Sequence, residues 1–192
     1  MTLKAFLYGF VLVLPLFLVS CGDDDLKKAN AISNQKVVLN RDRTLGVEII
    51  YSDSARVKAK GNAPIMDKVT PEGGGSYQEM IKGVKIDFFN ANQPGVVDGT
   101  LICDYAIRRD QEMKTFFRKN VIVKNAKGDT FSSEELIWDE SKKIFYSTQN
   151  VTIKTTDGNI LNGVDFEAPQ DFSTYKINTA TGQAVLKDEI VP

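Results

Sequence analysis

Asn120-Val121-Ile122-Val123-Lys124, followed by Lys127-Gly128-Asp129, returns thirty residues later as Asn150-Val151-Thr152-Ile153-Lys154, followed by Asp157-Gly158-Asn159. Further along the same offset Leu136 falls on Phe166 and Phe145 falls on Tyr175. Polar residues fill most of the intervening sites, which is the period of a strand with one buried face. Each strand then meets a Gly flanked by Lys, Asp or Asn, a composition that reverses a chain tightly because Gly accepts positive φ. One hairpin unit is used twice, with Val121, Val123, Val151 and Ile153 on a common side. Stacked hairpins bury a continuous apolar interior that no single unit could bury, and they leave two open edges at the ends of the stack. Such edges invite strand addition from another protein.

Working outward, the same period of two runs through the rest of the chain from Leu45. Val47, Ile49 and Tyr51 share one face, and Ala55, Val57 and Ala59 alternate with Arg56, Lys58 and Lys60. Val84, Ile86 and Phe88 follow, then Leu101, Cys103, Tyr105 and Ile107, with breaks at Asp53-Ser54, Gly73-Gly74-Gly75, Pro94-Gly95 and Asp98-Gly99. No window sustains helical spacing, so the expected fold is all-β, an antiparallel meander.

Composition narrows the function classes. The 192 residues carry a net charge of −1 with both signs interspersed, which gives neither a nucleic-acid footprint nor a polybasic membrane patch. Histidine is absent, which removes the commonest general base, the commonest metal ligand and any Ser-His or Cys-His nucleophile pair. With two cysteines, Cys21 and Cys103, there is no disulfide framework. Cys103, alternating with Leu101 and Tyr105, reads as a small buried hydrophobe.

At the amino terminus Lys4 precedes an uncharged run, Ala5 to Val19, typical of a secretory signal and short for a membrane span of about 20 residues. Leu18-Val19-Ser20-Cys21 closes it and resembles a bacterial lipobox, which implies cleavage before Cys21 and lipidation of its sulfur, a membrane attachment made stable by several acyl chains. A plain signal peptide or an uncleaved signal anchor is the alternative. The expected organisation is residues 1–20 as signal peptide, 21–44 as lipidated Cys and polar tether, and 45–192 as one β-domain. Asp23-Asp24-Asp25 reads as a solvated run and not as a metal cluster, because hard cations need oxygen ligands converging from spaced positions.

Several segments together resemble the periplasmic LptC family of the lipopolysaccharide-export machine. They are Gly46-Val47-Glu48-Ile49-Ile50-Tyr51-Ser52-Asp53-Ser54-Ala55, Gly83-Val84-Lys85-Ile86-Asp87-Phe88-Phe89, Leu136-Ile137-Trp138-Asp139, and Asp157 to Phe166 with Asp171-Phe172-Ser173-Thr174-Tyr175. The resemblance implies a twisted antiparallel β-jellyroll with a partly open groove. It also implies a role without enzymatic chemistry or cofactor: lipopolysaccharide extracted by an inner-membrane ABC transporter of the LptB, LptF and LptG kind is received, its acyl chains are shielded, and it passes to a homologous LptA-like bridge protein. The protein would then face the periplasm from the inner membrane, and transport energy would come from the partner ATPase. Groove candidates are Val57, Ile86, Phe88, Val121, Val123, Phe145, Val151, Ile153, Phe166 and Tyr175, with Ala55, Ala59 and Ala168 as small inward residues. Partner edges are expected at Val47, Ile49 and Tyr51 and at Tyr175 and Ile177, running on toward Leu186. Two features depart from the family: a lipobox where an uncleaved transmembrane helix is common, and Lys119 and Gln149 where Gly tends to precede the repeat strands.

Each groove candidate could equally be ordinary core. A scaffold lipoprotein of the cell envelope that binds proteins and never lipid is therefore the competing reading. An envelope hydrolase lacks a nucleophile constellation. Asn150-Val151-Thr152 fits a glycosylation acceptor only by coincidence, since it opens a strand. The carboxylates of Glu134 with Glu135, Asp139 with Glu140, and Asp165 with Glu167 read as solvated.

Overall fold

The computed structural model describes residues 40–183 except 73, 74 and 91. The apolar run, Cys21, the acidic stretch behind it and Leu186 lie outside the described residues. Among those described there is no helix, and the chain forms β1 (Arg41–Asp53), β2 (Arg56–Val69), β3 (Tyr77–Met80), β4 (Val84–Phe89), β5 (Val97–Cys103) and β6 (Tyr105–Arg109). It continues through β7 (Lys114–Lys124), β8 (Thr130–Asp139), β9 (Ile144–Ser147), β10 (Val151–Lys154), β11 (Ile160–Pro169) and β12 (Lys176–Gln183). Every pairing is antiparallel, in the order β10-β11-β9-β8-β7-β5-β4-β2-β3-β6, with β1 on β2 and β12 on β11.

The internal repeat is present in three dimensions. Val121 faces Ser133 and Lys124 faces Thr130, while Val151 faces Gly163 and Lys154 faces Ile160, the same register thirty residues apart. The two turns are copies: Asn125 N donates to Asp129 O at 3.1 Å and Thr155 N to Asn159 O at 3.0 Å, with Gly128 and Gly158 both at φ 90°. The copies differ upstream, where β7 is continuous but its counterpart breaks into β9 and β10.

Four long strands turn a sheet into a jellyroll. On one side β2 pairs first with β4 and then with β3, β7 with β6 and then β5, β8 with β10 and then β9, and β11 with β10 and then β9. Each therefore belongs to one layer at one end and to the facing layer at the other. The corners are visible in the backbone. In β7, Lys119 and Asn120 adopt φ of 65° and 51°, two residues opposing one on β8, and in β11 Asp165 adopts 51°. In β1, Gly46 sits at φ 63° opposite Pro64 of β2, where Pro can stand because it owes no ladder hydrogen bond at a corner.

Corners, bulges and turns change which face or environment a residue occupies, and four expectations are corrected on that account. Val57 is 49% exposed, on the outer side: the β1–β2 register slips so that Tyr51 opposes Ala59 but Ser52 opposes Val57, and the extra residue, Lys58, reverses the alternation. Ala55 is exposed in the hairpin turn at φ 59°. Leu101 to Ile107 is two strands, not one: the chain turns at Asp104, after which Ala106 joins the central core while Tyr105 sends its hydroxyl to Glu79 at 2.9 Å. Asp139 is not solvated but 4% exposed, its Oδ1 accepting from Lys142 N at 3.0 Å.

The interior between the layers is aromatic. Phe145 stands 5.7 Å from Phe88, 6.2 Å from Phe117, 4.7 Å from Trp138 and 4.9 Å from Phe172, ring centre to ring centre. Phe131 joins Phe166, Phe172 and Tyr175 at 5.3–5.6 Å. Replacing Phe145 by Ala should lower the unfolding free energy by about 3–5 kcal/mol. Val57→Ala, on the outside, should stay within about 1 kcal/mol. Urea unfolding of both variants checks this, and equal losses would show that the aromatic contacts between layers do not hold the fold.

Candidate functional site

The layers are packed together over most of their length but part at the β1 end, leaving an apolar cleft of about 650 Å³ including its open mouth. One wall is Ile49 and Tyr51 of β1, Ala59 and Gly61 of β2, and Ile86 and Phe88 of β4; the other is Phe117, Trp138 and Phe145. Local sequence explains the shape. Gly61 and Ala59 keep the floor low, a Cβ on Gly61 lying 3.6 Å from Ile49 Cβ and 3.7 Å from Ile86 Cγ1. At one rim Arg108 donates to both oxygens of Glu140, at 2.9 and 3.4 Å, which neutralises the charge there.

β1 makes this end open. It pairs only with β2, so Val47, Ile49 and Tyr51 stay half-buried without a further strand beyond them, Ile49 and Tyr51 facing the cleft. Two contacts tie its far end to the opposite layer. Tyr51 meets Trp138 edge to face at 6.4 Å, and Lys143 Nζ of the β8–β9 turn donates to Asp53 Oδ2 at 2.6 Å. That bond lowers the carboxyl pKa of Asp53 and raises that of the Lys143 ammonium.

The beginning of β1 is held differently. It starts at Arg41, inside the stretch read as tether, because charge rather than apolar area orders it. Arg43 grips Asp67 through Nε at 2.7 Å and Nη2 at 2.8 Å, and Arg41 adds Nη1 at 2.8 Å while reaching Glu79 at 3.0 Å. Asp67 is covered completely by this arrangement. The Arg43 hydrogen bonds, joined by those of Arg41, bring its pKa from 3.8 to about 2 against the opposing effect of burial. A carboxylate followed on the strand by Lys, with arginines two residues apart upstream, is a weak sequence signal, since only pairing register joins them.

Apart from Val57 on the outer side and Tyr175 beside β12, the expected groove residues separate into two groups. Ile86, Phe88 and Phe145 line the cleft. Val121, Val123, Val151, Ile153 and Phe166 are at most 2% exposed and close-packed in the part of the interior the side chains fill themselves. Tyr175 packs on Phe131 and Phe166 beside β12, and Ile177 is half-buried on that strand, which pairs only with β11. Tyr51, Gly61, Phe117 and Trp138 are cleft walls that alternation alone does not distinguish from core. Cys103 is buried, and that burial raises its thiol pKa to about 11. Among the described residues no three His, Cys, Asp or Glu side chains converge as a metal site.

No family model matches the chain, and no curated protein matches it closely enough to count as a relative.

Because folded Asp67 binds its proton more weakly than the unfolded chain does, protonation opposes folding. Its contribution is complete above about pH 4 and is lost as pH falls toward 2. Acid titration of the urea midpoint should show this loss in the native protein and a flatter curve for Asp67→Asn. Parallel curves would remove Asp67 as the cause.

Proposed function

We propose that this chain is a cell-envelope lipopolysaccharide-transport component of the LptC kind. It receives glycolipid from an inner-membrane ABC transporter at the β1 edge, covers acyl chain in the cleft beneath that edge, and hands the lipid on toward a bridge protein at the β12 edge. The observation that carries this reading is the apolar cleft lying directly under an edge strand with a free side. An acyl chain crossing water gains about 25 cal/mol for each Å² covered, so a dry slot beside a docking edge suits transfer from one jellyroll to the next. The lipobox resemblance supports attachment at the membrane where such a lipid starts, and the segments from Gly46 to Tyr175 carry the family resemblance.

A second reading, a protein-binding scaffold of the envelope, is favoured by one observation. Beyond Phe145 the interior is occupied by Phe131, Phe166 and Phe172, so the cleft does not run on as an empty groove to β12. In the transport reading those rings must part as lipid passes.

Photocrosslinking in cells separates the two. A photoreactive residue at Ile49 or Ile86 should yield lipopolysaccharide adducts that disappear when the transporter's ATPase is disabled, while one at Ile50, on the outer face of the same strand and 58% exposed, should not. Equal labelling at Ile50, or adducts with envelope proteins alone from every position, would favour the scaffold.

A further inference from the structure

Next to the apolar cleft, and sharing Phe88 and Gln170 with it, lies a second, polar opening of about 1160 Å³ including its mouth. Its cations are Lys58, Lys124 and Lys143 and its carboxylates are Asp53, Asp98 and Asp171. Two of those carboxylates serve the local backbone or its turn: Asp98 accepts from Asn90 at 2.9 Å and Asp171 from Ser173 N at 3.0 Å. Asp53 instead crosses between the layers to Lys143 and lies within the electrostatic reach of Lys58.

Lys58 is the extra residue of the β2 bulge, and bulges re-aim side chains. Here the bulge turns a half-buried lysine toward the opening, where it has no ion-pair or hydrogen-bond partner among the described residues. Gln170, half-buried at the junction of the two openings, likewise has its amide without a hydrogen-bond partner among them. Donors open to solvent and without a partner among the described residues, beside an apolar slot, are the features of a site for an amphiphile with a charged head.

We infer that the polar opening is an anion subsite for the headgroup of an amphiphile whose alkyl chain lies in the cleft, and that Asp53 competes with that headgroup for Lys143. A phosphate or carboxylate of the ligand replaces the Asp53 carboxylate on Lys143 and gains Lys58, with Gln170 donating at the junction. The exchange is of one anion for another, so no charge is stranded. It also releases the tip of the β1–β2 hairpin from the β8–β9 turn. This inference rests on the cleft being a chain-binding site, as proposed above.

Trp138, the only tryptophan, forms part of the cleft wall and reports on both questions. The full chain is titrated below micelle formation with octyl phosphate and with octyl glucoside while Trp138 emission is followed. Octyl phosphate should saturate, with an apparent Kd raised about tenfold by Lys58→Gln or Lys143→Gln, the worth of a charge-assisted hydrogen bond. Asp53→Asn should tighten octyl phosphate severalfold by freeing Lys143. Lys58→Gln, which leaves the Asp53–Lys143 tie intact, should not alter octyl glucoside, whereas Asp53→Asn and Lys143→Gln, which both break that tie, should shift octyl glucoside alike. If Asp53→Asn weakens binding as Lys143→Gln does, the pair is a structural latch and the subsite is overturned. It is overturned too if the lysine variants bind both amphiphiles as the native chain does, an outcome that leaves the cleft reading standing. Failure of both amphiphiles to change Trp138 emission overturns the cleft reading and this one together. Competition by inorganic phosphate as strong as that of octyl phosphate would assign the lysines to a free anion and overturn the headgroup.

Discussion

Phe145 is where the two layers of this jellyroll are fastened. Its ring touches Phe88 from the facing layer, Phe117 and Trp138 from its own, and Phe172 from the segment before β12. Aromatic pairs of this geometry contribute beyond the area they bury. The separation of the layers follows from that contact. On one side of Phe145 the phenylalanines continue and the interior is filled; on the other Ala59 and Gly61 are too small to reach across, and the cleft opens.

The corners of the long strands make this arrangement possible with so few core residues. β2, β7, β8 and β11 each leave one layer and enter the other, β7 and β11 through left-handed residues. Lys119, Asn120 and Asp165 adopt this conformation without being glycine, which carries a conformational cost that the surrounding ladders offset. For Asn120 one local compensation is visible, since its amide donates to Asp104 at 2.6 Å, the residue at which β5 turns into β6.

Charge controls the edge strand at both ends, by different means. At the start of β1, Asp67 is enclosed by two arginines in a fixed fork geometry that suits permanent structure. At its end a single lysine meets a single carboxylate, both substantially exposed, an interaction of the kind that is worth little in isolation and exchanges readily. A strand anchored firmly at one end and lightly at the other, over an apolar cleft, is mechanically suited to admit a chain from the side.

The all-β class, the hairpin repeat and the inward set Val121, Val123, Val151, Ile153 and Phe166 were legible in the local pattern, because strand alternation and Gly turns are local properties. Tertiary structure alone decided where that alternation breaks. The bulge at Lys58 and the corner at Asp104 depend on which strands pair on either side, and nothing within a few residues of Val57 or Tyr105 announces them. It also decided which apolar residues are packing and which are wall. Phe131 meets a filled interior and Trp138 of the same strand an opening, because the residues facing them across the layers come from distant parts of the chain. The Arg41, Arg43 and Asp67 cluster and the Asp53–Lys143 bridge are long-range for the same reason: charge pairs are chosen by register and layer, not by neighbourhood in sequence.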